Sequence, residues 1–207
     1  MDKGKYIIFI IIILLFVFII GVPYINDLIK SKDALKFNDA ESITLNNGNY
    51  IVGKDINSGI YDIEVLTQEI EVFGKKLDEG DQLLGFKLSD DEKLIINGKG
   101  SVKFIKASFD KLKKNNKQYI INHSGQYIVG KQIPTGQYKV SYSDPKGEIS
   151  KQQPFIQVSK KIGKEIITSF NINNKSQMIK LENDNILFIA NTMNQEHNYV
   201  EIILTPQ

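Results

Sequence analysis

"GNYIVGKDINSGIYDI", starting at Gly48, is rewritten 77 residues later as "GQYIVGKQIPTGQYKV" from Gly125, with nine of the sixteen positions identical. A chain that repeats a phrase of this length builds two copies of one supersecondary unit, and the rest of the sequence has to fit around that duplication.

The phrase alternates as strand, turn, strand. In the first copy Tyr50 and Val52 share one face of an extended segment, Gly53 ends it, "KDINS" crosses over and Gly59 supplies a turn. Tyr61, Ile63 and Val65 then alternate with Ile60, Asp62 and Glu64, the period of a strand with one wet face. The second copy follows the same logic with Tyr127, Val129, Gly130, "KQIPT", Gly136, and then Tyr138, Val140 and Tyr142 against Gln137, Lys139 and Ser141. Pro134, following Ile133, suits a rigid turn with no ladder hydrogen bond to lose. Gly59 and Gly136 are expected at positive φ, and Ile56 and Ile133 are expected to plug one end of a core. Tyr50, Tyr61, Tyr127 and Tyr138 are expected to be core or rim aromatics rather than ligand-stacking groups, because aromatics at strand period pack inward.

The duplication extends further. "KLSDDEKLIING" from Lys87 aligns with "KLENDNILFIAN" from Lys180 at an offset of 93, and "VKFIKA" from Val102 with "VEIILT" from Val200 at 98. The second copy therefore carries about sixteen extra residues within Ser143 to Lys175. Each half then holds roughly six short strands separated by acidic or Asn-rich turns, which predicts an all-β protein of two tandem β-sandwich or jelly-roll-like domains. Their expected bounds are 42–107 and 119–207, joined by a polar linker at 108–118 with at most one turn of helix. At this size the first copy is close to the lower limit for independent stability, so the copies are expected to pack together.

Ahead of the repeats stands "YIIFIIIILLFVFIIGV", Tyr6 to Val22, without a charge or side-chain amide. As a helix it spans about 26 Å, enough to cover a bilayer core, and it predicts a transmembrane signal anchor at 6–22. A cleaved signal peptide is the rival, but the run ends "FIIGVPYIND" with no small-residue cleavage site. The short flank at 1–5 favours an N-terminus inside the cell with the β-domains outside. Residues 23–41 form a stalk, with Ile25, Leu28, Ile29 and Leu35 at near-helical spacing.

Composition removes several classes of function. All 26 basic residues are lysine, against 24 acids, so the chain has neither a strong positive field nor the guanidinium fork that reads nucleic acid. The absence of cysteine excludes disulfides, thiolate nucleophiles, thiolate zinc sites and a lipidated N-terminal cysteine. Only His123 and His197 could ligate a metal through nitrogen, and the acidic stretches Asp78, Glu79, Asp81 and Asp90, Asp91, Glu92 lack the register of a calcium loop. No hydrolase elbow, zinc-protease pair or phosphate loop is present, and "GKGSVKF" at 98–104 follows a hairpin pattern with no helix behind it. Asn122 and Asn174 begin glycosylation sequons of the kind that arise by chance. No catalytic residue, cofactor or metal is therefore expected.

The doubled phrase resembles the Y-x-V-G-x-D-I-P-x-G-x-Y module that recurs, often in tandem behind a signal or membrane anchor, in uncharacterised surface proteins and lipoproteins of Gram-positive bacteria. The residues that carry the likeness are Gly48, Tyr50, Val52, Gly53, Ile56, Gly59 and Tyr61, then Gly125, Tyr127, Val129, Gly130, Ile133, Gly136 and Tyr138. Each copy departs from the pattern once: Asn57 replaces the proline in the first, and Gln132 replaces the aspartate in the second. The resemblance implies an extracytoplasmic all-β domain and no catalytic residues. Anchor, stalk and two compact modules together lead to the expectation of a non-catalytic protein that binds or scaffolds at the cell envelope. Its expected partners are the bilayer, through 6–22, and an envelope protein or cell-wall polymer. A wall-directed hydrolase built around His123 or His197, and a sensory subunit of a membrane complex, are the alternatives.

Overall fold

In the computed structural model, residues 38–144, 153–162, 164–172, 176–190 and 200–207 are described. From Asp39 onward the chain forms one compact unit. The expected membrane span at 6–22 and the stalk up to residue 37 lie outside the described residues; among those described, no helix is long and apolar enough to cross a membrane.

The unit is all-β. The first copy contributes β1 (Ile43–Leu45), β2 (Gly48–Ile51), β3 (Gly59–Thr67), β4 (Ile70–Val72), β5 (Lys75–Leu77), β6 (Gln82–Leu88), β7 (Lys93–Gly98) and β8 (Ser101–Lys106). The second contributes β9 (Lys114–Asn115), β10 (Gln118–Ile121), β11 (Ser124–Ile128), β12 (Gly136–Ser143), β13 (Phe155–Ser159), β14 (Ile166–Asn171), β15 (Gln177–Leu181), β16 (Ile186–Ala190) and β17 (Glu201–Pro206). Eight and nine strands replace the six per half expected from turn signals, because pairs such as β4 and β5 are too short to show a period. Leu94 and Ile96 on β7, and Ile202 and Leu204 on β17, are buried while their neighbours are not, the alternation that β-branched and aliphatic residues favour on a pleated surface.

Strand pairing makes the duplication exact enough to align by hydrogen bonds. β2 runs antiparallel to β7 with Gly48 opposite Ile96, and β11 to β16 with Gly125 opposite Ile189. β3 pairs β6 on one side and β8 on the other, as β12 pairs β15 and β17. One sequence alignment is corrected by this register. Val65 faces Val102 in the first copy and its counterpart Tyr142 faces Ile202 in the second, so Val102 matches Ile202 rather than Val200. A shift of two residues keeps every side chain on its face, so apolar alternation could not detect it. The extra residues of the second copy enlarge an existing hairpin: β13 and β14 have five and six residues where β4 and β5 have three each. The stretch 108–118 contains no helix; β9 turns back onto β10 through Asn116 and Lys117, both at positive φ as in a type I′ hairpin.

Two hydrophobic clusters fill the unit. Tyr61, Ile63, Val65, Leu83, Leu94, Ile96 and Phe104 belong to the first; Tyr127, Tyr138, Val140, Ile156, Leu187, Ile189 and Ile202 to the second. β6 pairs in parallel with β11, Leu83 beside Ser124 and Leu84 beside Gly125. That single junction fuses a sheet of each copy into one of eight strands, ordered β1-β8-β3-β6-β11-β16-β13-β14. Leu83 lies in the first cluster while its neighbour Leu84 packs against the second. Successive side chains on a strand point to opposite faces, so β6 is covered by one core on each side.

Candidate functional site

Four Gly-x-Tyr units, two in each copy, explain what the repeated tyrosines do. Every one of them donates its hydroxyl to the carbonyl four residues upstream: Tyr50 to Asn46 (3.1 Å), Tyr61 to Asn57 (2.8 Å), Tyr127 to His123 (2.7 Å) and Tyr138 to Pro134 (2.7 Å). Tyr61, Tyr127 and Tyr138 are buried, whereas Tyr50 is half-buried against the first core. Burial raises the hydroxyl pKa of all three, and for Tyr127 the Asp62 carboxylate adds to the rise. These phenols stay neutral and are committed to the backbone, tying each strand to the loop that precedes it.

The Gly-Lys loop is also built the same way twice. Gly53 and Gly130 both sit at φ 87°, and each donates its N–H across the loop, to the carbonyls of Ile56 and Ile133. Gly59 and Gly136 also lie at positive φ, as expected, at 158° and 153°, while Gly53 and Gly130 hold the left-handed turn of the loop itself. The departure from the repeated pattern at Gln132 is functional conservation of a bond: Asp55 Oδ2 accepts from the Ile51 amide at 2.8 Å, and Gln132 Oε1 accepts from Ile128 at 2.9 Å. Val52, Ile56, Val129 and Ile133 are buried at these loops.

Among the described residues the junction between the copies has no internal counterpart, and it is the candidate site. Asp62 faces two residues of β6, so that β6 bulges at Leu84 and Gly85. Gly85 lies at φ 68°, and a Cβ there would stand 2.5 Å from the Gln126 carbonyl oxygen. A Cβ on Gly125 would overlap the Leu84 backbone in the same way. Only glycine on both strands lets the two backbones approach this closely. Asp62 Oδ1 accepts from the Gly85 amide at 2.8 Å, holding the bulge, and takes a second backbone bond from Ser108. Burial pushes the Asp62 carboxyl above its usual range, those amide bonds opposing the shift. His123, at the β11 side of the junction, is half-buried and held below the usual imidazole value by that burial, with Asp81 pulling the other way.

These groups serve a structural joint. The acidic stretches have similar employment: Asp81 Oδ2 caps the Asp78 amide at 2.8 Å, Glu92 Oε2 caps Ser89 at 3.0 Å, and Asn185 Oδ1 caps Glu182 at 2.9 Å. Among the described residues no three His, Asp or Glu side chains converge as a metal site, and no buried side-chain polar atom lacks a partner. His197 and the Asn174 sequon lie outside the described residues. Sequence reasoning did not single out Gly85, Asp62 or Gln126. Gly85 alone carried a signal, as an isolated glycine inside the strand pattern "QLLGFKL".

Large apolar side chains are exposed at a few places: Ile51 and Ile95 on neighbouring strands β2 and β7, Ile166 and Ile167 on β14, and Met178 on β15. Phe73 is also exposed, stacked on Phe86 at 5.4 Å. No protein-family model matches the chain, and no curated protein matches it.

Proposed function

We propose that this is a single-pass membrane-anchored protein that holds two small β-sandwich modules outside the cell membrane, as a non-catalytic binding or scaffolding unit of the envelope. The observation that carries the reading is how the polar groups inside the unit are used. Tyrosine hydroxyls, acidic turns and the Asp62 carboxylate are all taken up by backbone amides and carbonyls, which suits a rigid display body rather than a site poised for proton transfer. What remains for recognition is strand edges and outer faces, where backbone groups give affinity and exposed side chains give selectivity. The uncharged run Tyr6 to Val22 supplies the anchor.

Protease treatment of intact cells tests the location: digestion of the β-unit without lysis supports it, and protection until the membrane is opened overturns it. Crosslinking in intact cells, comparing the full chain with versions lacking 42–107 or 119–207, then tests the binding role. An envelope protein or wall fragment captured only when the modules are present supports the reading. Turnover of wall polymer by the purified chain, abolished by His123→Ala, would replace it with the hydrolase alternative.

A further inference from the structure

We propose that copies of this chain associate head to tail, the outer edge of β15 in one chain pairing in parallel with β2 of the next and so repeating between chains the junction that β6 and β11 make within one. The contact concerns chain with chain, and it stands whether or not the β-unit is displayed outside a membrane.

The internal junction supplies the template. β6 is the strand that flanks β3, and its counterpart flanking β12 is β15; β11 is the strand that flanks β16, and its counterpart flanking β7 is β2. The contact joins unlike edges of two similar bodies. A contact of that kind always leaves one edge of each type unused, and here they are β15 and β2, both terminal strands of their sheets among the described residues.

The side chains at the two open edges are those that a junction would cover. Ile128 on β11 is 1 % exposed; Ile51, at the same place in the repeated phrase, is 43 % exposed. Tyr127 points into the second core, so its neighbour Ile128, which belongs to neither cluster, points to the opposite face of the shared sheet. On the other partner, Leu84 packs against the second core, and Met178, which faces Lys139 as Leu84 and Gly85 flank Asp62, is 57 % exposed. Each edge thus presents an apolar residue at the position that is covered in the internal joint. On β2 the backbone is ready too. Val52 exchanges bonds with Glu92 and Asp91 on the β7 side, so by alternation Asn49 turns its amide and carbonyl to the open edge, as Gln126 does toward Gly85.

Met178 does not block the pairing. A Cβ at Gly85 meets Gln126 because the bulge turns it into the plane of the sheet; β15 pairs with β12 without a bulge, so Met178 stands on the face of the sheet. The interchain contact lacks the Asp62 clamp, with Lys139 in its place, and Gln177 replaces Leu83, so it is weaker than the internal one and depends on concentration.

The absence of cysteine makes the register directly testable. Ser124 faces Leu83 within the chain, and the matching pair between chains is Asn47 with Gln177. Full-length protein in mild detergent carrying both Asn47→Cys and Gln177→Cys is oxidised and run without reductant. A ladder of multimers, or one closed ring, is expected from the double variant. A single crosslinked dimer is expected when the two single-cysteine chains are mixed, and none when either is oxidised alone. Adding Ile51→Lys, a change at an exposed site that leaves the monomer folded by circular dichroism, is expected to lower the crosslinked yield about tenfold. Absence of crosslinks at every concentration tried, or a dimer from Asn47→Cys alone showing like edges paired, would overturn the proposal.

Discussion

Replacing Gly85 with alanine, and in parallel Gly74 with alanine, isolates the strength of the joint between the two copies. Both glycines have φ 68°, but a Cβ at Gly74 meets nothing within 4 Å whereas one at Gly85 lies 2.5 Å from the Gln126 carbonyl oxygen. Left-handed backbone costs an L-residue about 1–2 kcal/mol, and Gly74→Ala should cost that much and no more. Gly85→Ala bears the same penalty plus the cost of forcing two hydrogen-bonded backbones apart, about 1–3 kcal/mol when a packed region is overfilled, for a total of about 2–5 kcal/mol. Urea unfolding of full-length protein in mild detergent, followed by the fluorescence of its nine tyrosines without interference from tryptophan, reads the difference. The Gly85 variant should also broaden or split the transition, because β6–β11 is the only strand pairing between the copies among the described residues. Equal losses from the two substitutions, within about 0.5 kcal/mol, would refute the claim that close backbone approach at Gly85 couples the copies.

The tyrosine ties should scale with burial: Tyr138→Phe removes a 2.7 Å bond at a buried ring and is expected to cost about 1–2 kcal/mol, while Tyr50→Phe, whose bond is exposed, should cost less than about 0.5 kcal/mol in the same urea assay. Two pH limbs should appear in the unfolding midpoints. Asp62 is held above its ordinary 3.8, so the folded protein binds its proton more tightly and stability falls as pH rises from 3.8 through the folded value; Asp62→Asn, which keeps an acceptor for the Gly85 amide, should flatten that limb. His123 is held below 6.5, so stability falls as pH drops from 6.5 toward its folded value, and His123→Gln should flatten that one. If either variant keeps the wild-type slope, the burial assigned to that group is wrong.

Much of the local design can be found in the chain by inspection. The duplicated phrase gives two copies, the alternation of Tyr61, Ile63 and Val65 gives a half-buried strand, and each Gly-x-Tyr places a ring that can reach back four residues. These are nearest-neighbour facts: they depend on period two and on bonds that close within a few residues. The acidic turns belong here as well, since Asp81 caps a residue only three away.

The joint between the copies is a different matter. Ile51 and Ile128 occupy the same place in the same four-letter run, yet one is exposed and the other is buried, a difference that nothing in the run itself encodes. Edge pairing uses backbone amides and carbonyls that every residue carries, so it leaves almost no trace in side-chain pattern; here the trace is one glycine in β6. The chain alone therefore determined that two pleated units would form and which tyrosines would tie them. Tertiary structure decided that one unit's β6 would dock in parallel on the other's β11, where a bulge held by Asp62 brings two bare backbones within bonding distance.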